Sequence, residues 1–140
     1  MEADPFNLAR FTEAQSGNYD HAVAELRRGQ KTSHWMWFVF PQIAGLGQSA
    51  TSRRYAIASL AEARAYLAHP VLGPRIRDCA SILLGLSGRT ADQIFGGIDA
   101  VKLRSSMTLF EHAEPGESVF RQVLDLYFDG AEDPATVERL

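Results

Sequence analysis

The sequence predicts an all-α protein with a single compact domain, and three observations support that prediction. Apolar residues recur with the 3.6-residue period of a helix in nearly every segment, and helix start and stop residues bracket these segments. Only "MWFVF", residues 36–40, has the composition of a strand, and it has no similar partner with which to pair. We therefore expect one domain over residues 1–140, with about seven or eight helices and one longer Gly/Ser-rich loop.

The first two helices are expected to form a helical hairpin. Asp4 suits the N-cap of the first helix and Pro5 its first residue, because the φ of proline is already helical. Gly17 marks the end of this helix. The second helix begins near Asn18 and stops at Gly29.

A short buried helix over residues 34–40 is predicted next, with Ser33 as its N-cap. The segment that follows, "PQIAGLGQSATS" at residues 41–52, has no apolar period and is rich in Gly, Ser and Thr. We expect this segment to be the longest loop of the chain.

The second half of the chain shows similar helix boundaries. Ser59 and Glu62 are spaced as a capping box, and the helix that they begin ends at His69, before Pro70. Five more helices are predicted after it. They are a helix over residues 73–88 with Pro74 in its first turn, a short helix capped by Thr90, two helices over residues 99–113 and 116–130, and a terminal helix capped by Asp133.

Composition excludes several classes of protein. With 46% hydrophobic and 22% charged residues the chain resembles an ordinary globular domain. A net charge of −3 without a basic block argues against duplex nucleic acid as a partner. No apolar run approaches the roughly 18 residues of a membrane span, and the acidic N-terminus does not resemble a signal peptide, so we expect a cytoplasmic protein with no membrane partner. The single cysteine, Cys79, lies in an apolar helical stretch and is expected to be buried rather than nucleophilic.

Lysine is rare in this chain, which has 12 Arg but only 2 Lys. Lys31 opens the aromatic segment "KTSHWMWFVFPQ", and Lys102 opens "KLRSSMTLF". These are positions where a compact ammonium group, rather than a guanidinium, is expected to be required.

The aromatic segment has two interpretations. Its rings would fill a core, yet on a helix they spread around the axis, with Trp35 and Phe38 on one side and Trp37 on another. At least one ring, for which Trp37 is our candidate, would then line a groove and stack on a planar ligand. His34 lies at the expected helix start, where the helix dipole disfavours a charged imidazole, and is the catalytic candidate; a backbone-bonding histidine is the alternative. No second ligand stands at metal-binding spacing from His34, so no metal site is predicted.

Small residues in the loop suggest a phosphate cradle. Gly45, Gly47 and Ser49 resemble a G-x-G-x-S loop whose backbone N–H groups approach an anion. No strand precedes the loop and no G-K-[ST] follows, so neither a dinucleotide-binding nor a P-loop motif is present. Glycines that only turn the chain are the alternative.

Three polar residues share one face of the predicted 99–113 helix. Lys102, Ser105 and Ser106 lie at i, i+3 and i+4, and adjacent serines lower helix propensity. We interpret them as an anion or sugar-phosphate pocket. The alternative is a solvated face whose hydroxyls bond back to the helix.

Four stretches of the chain carry a family resemblance, namely "GQKTSHWMWFVFPQIAGLGQS", "YAIASLAEARAYLAHPVLGPRI", "IFGGIDAVKLRSSMTLF" and "FDGAEDPATVERL". Together they resemble the small bacterial family catalogued as domain of unknown function 1810. The resemblance runs from "RFTEAQ" onward and implies a compact all-α fold without an established activity. Members often carry the label calpastatin, but inhibitors of that type are extended and disordered, whereas this chain has the hydrophobic content of a folded domain. At fold level the chain also resembles N-glycosidase-like proteins associated with NAD and ADP-ribose.

Our first hypothesis is a pocket for a small anionic metabolite, phosphorylated or ribosylated like a nucleotide or ADP-ribose, in an N-glycosidase-like or hydrolytic protein. No cofactor is implied, and whether the protein is an enzyme stays open. The alternative is a non-catalytic module that binds a protein partner through exposed aromatic residues. Besides His34, the expected ligand-binding residues are Lys31, Ser33, Trp37, Gln42, Gly45, Gly47, Ser49, Lys102, Ser105 and Ser106.

Overall fold

The all-α prediction is confirmed by the computed structural model, which describes residues 3–140. Within that range it contains ten helices and no sheet. They are α1 Ala9–Gln15, α2 Tyr19–Arg28, α3 Met36–Val39, α4 Ala50–Arg54, α5 Leu60–Ala68, α6 Leu72–Gly85, α7 Ala91–Phe95, α8 Gly97–Ala113, α9 Ser118–Phe128 and α10 Pro134–Val137. The count exceeds the predicted seven or eight because α3, α4, α7 and α10 have only 4 or 5 residues each.

The first helix begins later than its sequence predicts. The predicted N-cap Asp4 is wrong, because Leu8 is the residue before α1, and Pro5 also lies before the helix rather than inside it. The Asp4 carboxylate still accepts from the backbone N–H groups of Leu8 and Ala9, at 2.7 and 2.9 Å. The end of α2 agrees with the prediction, since Gly29 has a φ of 72° in the left-handed region that glycine favours.

The aromatic segment forms a shorter helix than predicted, and the predicted N-cap is wrong. Trp35, not Ser33, is the residue before α3. The predicted loop continues as far as Ser49, whose hydroxyl accepts from the backbone N–H of Ser52 at 3.1 Å and so begins α4. Five residues are too few to show an apolar period, which is why α4 was not predicted.

A pair of backbone hydrogen bonds holds the loop before α4. The Ile57 N–H donates to the Gln42 carbonyl and the Ala44 N–H donates to the Ile57 carbonyl, both at 2.8 Å. They form an isolated parallel bridge between Ile43 and Ile57. This bridge fixes the loop against the chain that enters α5.

The helix caps of the second half follow the sequence closely, with one exception. Thr90 and Gln93 form a complete capping box, and Asp133 caps α10. At α5 only half of the predicted box exists, because the Glu62 carboxylate accepts from the Ala58 N–H and pairs with Arg10 at 2.7 Å.

The core surrounds α8, the longest helix, which packs against α5, α7, α9 and α10. Buried aromatic rings, among them Trp35, Phe40, Tyr66 and Phe110, fill the space between these helices. Cys79 is buried as predicted, and burial raises the pKa of its thiol to about 12, which rules out a thiolate nucleophile near neutral pH. None of the helices in residues 3–140 combines the length and the hydropathy needed to cross a bilayer.

Candidate functional site

A pocket of about 560 Å³ lies beside the first half of α8, and we call it the α8 pocket. Its walls come from five parts of the chain, namely Trp37, the loop from Gln42 to Gly47, the α4 region, the first half of α8, and the start of α10. The larger apolar side chains of the lining are Trp37, Ile43, Leu46, Tyr55, Ile98 and Val101. The polar side chains are Gln42, Ser52, Arg53, Lys102, Ser105 and Asp133. Ligand sites commonly show this combination of apolar walls and a few polar groups.

A buried carboxylate organises the turn that leads into the aromatic segment. Glu25, only 3% exposed, accepts hydrogen bonds from the backbone N–H groups of Thr32 and Ser33, at 2.6 and 2.8 Å. It also accepts from the Ser33 hydroxyl at 2.6 Å and from the Trp35 indole N–H at 3.0 Å. Burial acts to raise the pKa of Glu25, but these four hydrogen bonds outweigh it and lower the pKa to about 2. Glu25 therefore anchors this turn as a permanent carboxylate and is unsuited to acid–base catalysis.

The two lysines meet at one carboxylate. The Lys31 ammonium lies 2.8 Å from Asp99 Oδ2, and the Lys102 ammonium lies 2.9 Å from Asp99 Oδ1. Burial acts to raise the pKa of Asp99, yet hydrogen bonds and charge from both lysines hold it below the usual value. Each ammonium also sits over an indole, Lys31 at 5.2 Å from the Trp35 ring centre and Lys102 at 4.1 Å from that of Trp37. These two ion pairs form a Lys31–Asp99–Lys102 bridge, which joins the aromatic segment to α8.

A second polar network ties α10 to α8. Asp133 Oδ2 accepts from the Ser105 hydroxyl at 2.9 Å and from the Thr136 hydroxyl at 2.6 Å. The backbone N–H of Asp133 donates to the Thr108 hydroxyl at 2.9 Å. This network places Asp133 and Ala135 at the pocket wall.

Six of the residues predicted to bind ligand line the α8 pocket: Trp37, Gln42, Gly45, Gly47, Lys102 and Ser105. The other predicted residues lie elsewhere. Lys31 does not line the pocket but pairs with Asp99, which also pairs with the lining residue Lys102. The Ser33 hydroxyl donates to Glu25. Ser49 is the α4 cap, and His34 is exposed outside the lining. The catalytic role of His34 and the ligand roles of these residues stay predictions.

Ser106 differs most from its predicted role as a ligand-binding residue. It is fully buried, and its hydroxyl has no hydrogen-bond partner among residues 3–140. Ser105 and Ser106 point to different surroundings because adjacent helical residues lie about 100° apart around the axis.

Local packing explains both glycines of the loop without a ligand. Gly45 has a φ of 99°, and a Cβ there would lie 2.8 Å from Arg139 Nε. A Cβ on Gly47 would lie 2.6 Å from the Ser52 Cβ. The close approach of the loop to α4 and to the C-terminal residues therefore requires glycine at both positions.

Several lining residues were not predicted. Arg53 and Tyr55 follow the loop in "SRRYA", where an aromatic residue beside basic ones was an available signal. Ile98 and Val101 precede Lys102 on α8 and are 78% and 60% exposed. Nothing in the sequence pattern predicts this exposure. Asp133 was interpreted only as a helix cap, a role that it does fill.

Three potential metal ligands cluster away from the pocket. Ligand atoms of Glu111, His112 and Glu132 lie within 4.8 Å of one another. Glu132 already pairs with His112 at 2.7 Å and with Arg121 at 3.3 Å. These contacts occupy both oxygens of the Glu132 carboxylate, and we assign no metal to the cluster.

The fold and the pocket together define a small all-helical protein with an open, mainly apolar pocket beside its longest helix. The chain belongs to the family described as protein of unknown function (DUF1810), whose model matches residues 5–140, as the sequence resemblance predicts. Its structure is similar to the crystal structure of the conserved hypothetical protein Rv1873 from Mycobacterium tuberculosis, with 50% identity, 98% of each chain covered and a TM-score of 0.96. A comparison with curated proteins finds no match.

Proposed function

We propose that the α8 pocket binds a small planar metabolite that carries an anionic group, of the nucleotide or ADP-ribose type. The observation that supports the proposal is the lining itself, in which aromatic and aliphatic walls are joined by Lys102 and Arg53. The volume of about 560 Å³ falls within the range of roughly 300–1,000 Å³ found for ligand pockets. The proposal includes the cytoplasmic location expected from the sequence, since metabolites of this kind occur there.

The cationic side chains of the lining keep donors for an anion. An ammonium has three N–H donors, and Asp99 takes one of those of Lys102. Arg53 is exposed at the pocket and forms no side-chain hydrogen bond with residues 3–140. A phosphate bound between them would replace water rather than break protein contacts.

The planar part of the ligand would pack on the apolar walls. Lys102 already covers one face of the Trp37 ring, so Tyr55 and Val101 are the surfaces on which a ring would lie. Because Tyr55 packs edge-on against Phe38, at 5.5 Å between ring centres, its position is fixed before a ligand arrives.

An N-glycosidase-like or hydrolytic reaction is the catalytic extension of this proposal. It requires an acid–base group beside the ligand, and Asp133 is the carboxylate of the lining. Incubation of a ligand that binds, followed by chromatography of the products, tests the extension separately from binding.

A protein-interaction module is the second candidate, and the exposed residues at the pocket favour it. Ile98 and Val101 are 78% and 60% exposed on α8. A partner could insert an apolar side chain between them, as hot-spot residues do in protein interfaces.

A thermal-shift panel of nucleotides, ADP-ribose and sugar phosphates, with adenosine as the uncharged control, tests the first candidate. A ligand at about 100 times its Kd adds roughly 2.7 kcal/mol to the free energy of unfolding. Val101→Trp should block the pocket and abolish the shift, whereas Leu126→Trp, at a 52% exposed position on α9 outside the lining, should preserve it. No stabilisation by any anionic compound at millimolar concentration would contradict the proposal.

A further inference from the structure

Gln42 stands out among the lining residues because it is buried and has no side-chain partner. Only 8% of the residue is exposed, and it lines the α8 pocket. No hydrogen bond joins its side-chain amide to any residue from 3 to 140, although its backbone carbonyl accepts from the Ile57 N–H at 2.8 Å. Three polar residues of the lining are at least nine-tenths buried, namely Gln42, Ser52 and Ser105, and of these Gln42 alone has a side chain without a protein partner in this range.

The position of Gln42 is set by the backbone and not by a ligand. Bonds on both sides of Ile43 hold the strand-like segment against Ile57, at 2.8 Å each. The backbone of Gln42 is therefore held in place beside the pocket. The fully buried side-chain polar atom without a partner in residues 3–140 is the Ser106 hydroxyl, so the amide of Gln42 keeps access to solvent and in the free protein is satisfied by pocket water.

The serine hydroxyls of the lining are already in use. Ser52 donates to the Ser49 carbonyl at 2.8 Å, and Ser105 donates to Asp133 at 2.9 Å. Each is left only as an acceptor. A primary amide, in contrast, offers an N–H donor and a carbonyl acceptor in one plane, which matches a heterocycle edge with a neighbouring acceptor and donor.

We propose that Gln42 determines the ligand specificity of the α8 pocket by forming a pair of in-plane hydrogen bonds with a nitrogen heterocycle that presents adjacent donor and acceptor groups. This inference rests on the proposed function, since it assumes that the pocket binds a planar anionic metabolite. It narrows the ligand to a nucleobase-containing compound and excludes simple sugar phosphates as the preferred ligand.

Isothermal titration calorimetry of the full-length protein tests the inference. The ligands are the 5′-monophosphates of adenosine, guanosine and cytidine, together with purine riboside 5′-monophosphate, which lacks the exocyclic amine, and ribose 5-phosphate, which lacks the base. A bidentate amide–base pair discriminates by about 5- to 150-fold. We expect at least one of the three nucleotides to bind more tightly than purine riboside 5′-monophosphate and ribose 5-phosphate by a factor in this range.

Two variants assign that preference to Gln42. Gln42→Met keeps the length of the side chain and should remove the preference, so that the preferred nucleotide and purine riboside 5′-monophosphate bind with equal Kd. Gln48→Met, at an exposed position of the same loop outside the lining, should keep the preference. Without ligand, Gln42→Met should leave the unfolding temperature unchanged or raise it, because no protein hydrogen bond is lost.

The outcomes separate the two proposals. Equal binding of ribose 5-phosphate and all nucleotides would overturn the role of Gln42 and leave the anion-binding function standing. A preference that survives Gln42→Met would also overturn it. If none of the five compounds binds, the proposed function fails and the specificity inference fails with it. A lowered unfolding temperature of Gln42→Met would show that the amide serves the fold instead.

Discussion

Single buried polar residues hold the candidate site in place. Glu25 shows this most clearly, since one carboxylate receives four hydrogen bonds, three from the consecutive residues Thr32 and Ser33 and one from the Trp35 indole. The cost of burying its charge is offset only while all four donors are present. The position of Trp35, and through it the start of α3, therefore depends on Glu25.

Glu25→Gln should destabilise the protein by about 3 kcal/mol at pH 7. The carboxyl pKa falls from 4.5 to about 2 on folding, and each pKa unit corresponds to about 1.36 kcal/mol. Because the folded pKa is depressed, this stabilisation is complete above pH 4.5 and is lost as the pH falls towards 2. Urea denaturation at pH 7, 4 and 3 measures it.

The exposed Glu13 provides the control for that measurement. Glu13→Gln should leave the free energy of unfolding within about 0.5 kcal/mol of the wild type. If Glu25→Gln were as stable as Glu13→Gln at pH 7, the carboxylate would not be the anchor of the turn.

The residue scale is also where the sequence predicted the site best and failed most visibly. Trp37, Gln42 and Lys102 line the pocket as expected. Ser33 does not, because a distant carboxylate takes its hydroxyl, and Ser106 does not, because it faces the core. Helical spacing shows which residues share a face, but not which distant group already bonds to them.

At the scale of elements, the Lys31–Asp99–Lys102 bridge links the turn before α3 to α8. The side chains are 9%, 18% and 19% exposed respectively, so their charges are only partly screened by solvent. Each ammonium also contacts an indole, which orients the aromatic segment relative to the helix. The bridge therefore positions Trp37 at the pocket wall.

Asp99→Asn should lower the free energy of unfolding by about 1 to 3 kcal/mol, because two close ammonium groups lose their common counter-charge. The loss should be smaller at 0.5 M salt than at about 0.05 M, since salt screens the repulsion that remains. Urea denaturation at both salt concentrations provides the measurement.

A more exposed ion pair serves as the comparison. Asp125 lies 3.4 Å from Arg121 on α9 and its side chain is 59% exposed. Asp125→Asn should cost less than about 0.5 kcal/mol. Equal losses for Asp99→Asn and Asp125→Asn would mean that the bridge does not hold the two elements together.

Helix boundaries were predictable wherever a side chain or a glycine ends the helix locally. Thr90, Asp133 and Gly29 perform the roles that the sequence assigns to them. The helix α4 was not predictable, because five residues carry no periodic signal. Its start depends on Ser49, which the sequence equally allows as an anion ligand.

At the scale of the whole molecule, the core and the pocket share α8. Leu103, Met107 and Phe110 are buried on one side of this helix, while Val101 and Lys102 face the pocket. The all-helical class followed from periodicity, but the meeting of residues about seventy positions apart depends on tertiary packing. For that reason the two clusters could be predicted from the sequence, but the pocket that they share could not.

The most direct test of the central claim, that the aromatic segment and α8 form one ligand site, is a chemical-shift titration by NMR. The chain has 2 Trp, so it gives only two indole N–H signals. With the nucleotide that stabilises the protein most, we predict saturable shifts of the Trp37 indole and the Gln42 side-chain amide, while the Trp35 indole, bonded to Glu25, stays in place. Shifts confined to the groove between α2 and α6, around Tyr19 and Asp78, or no saturable shift at Trp37 and Gln42, would contradict the account.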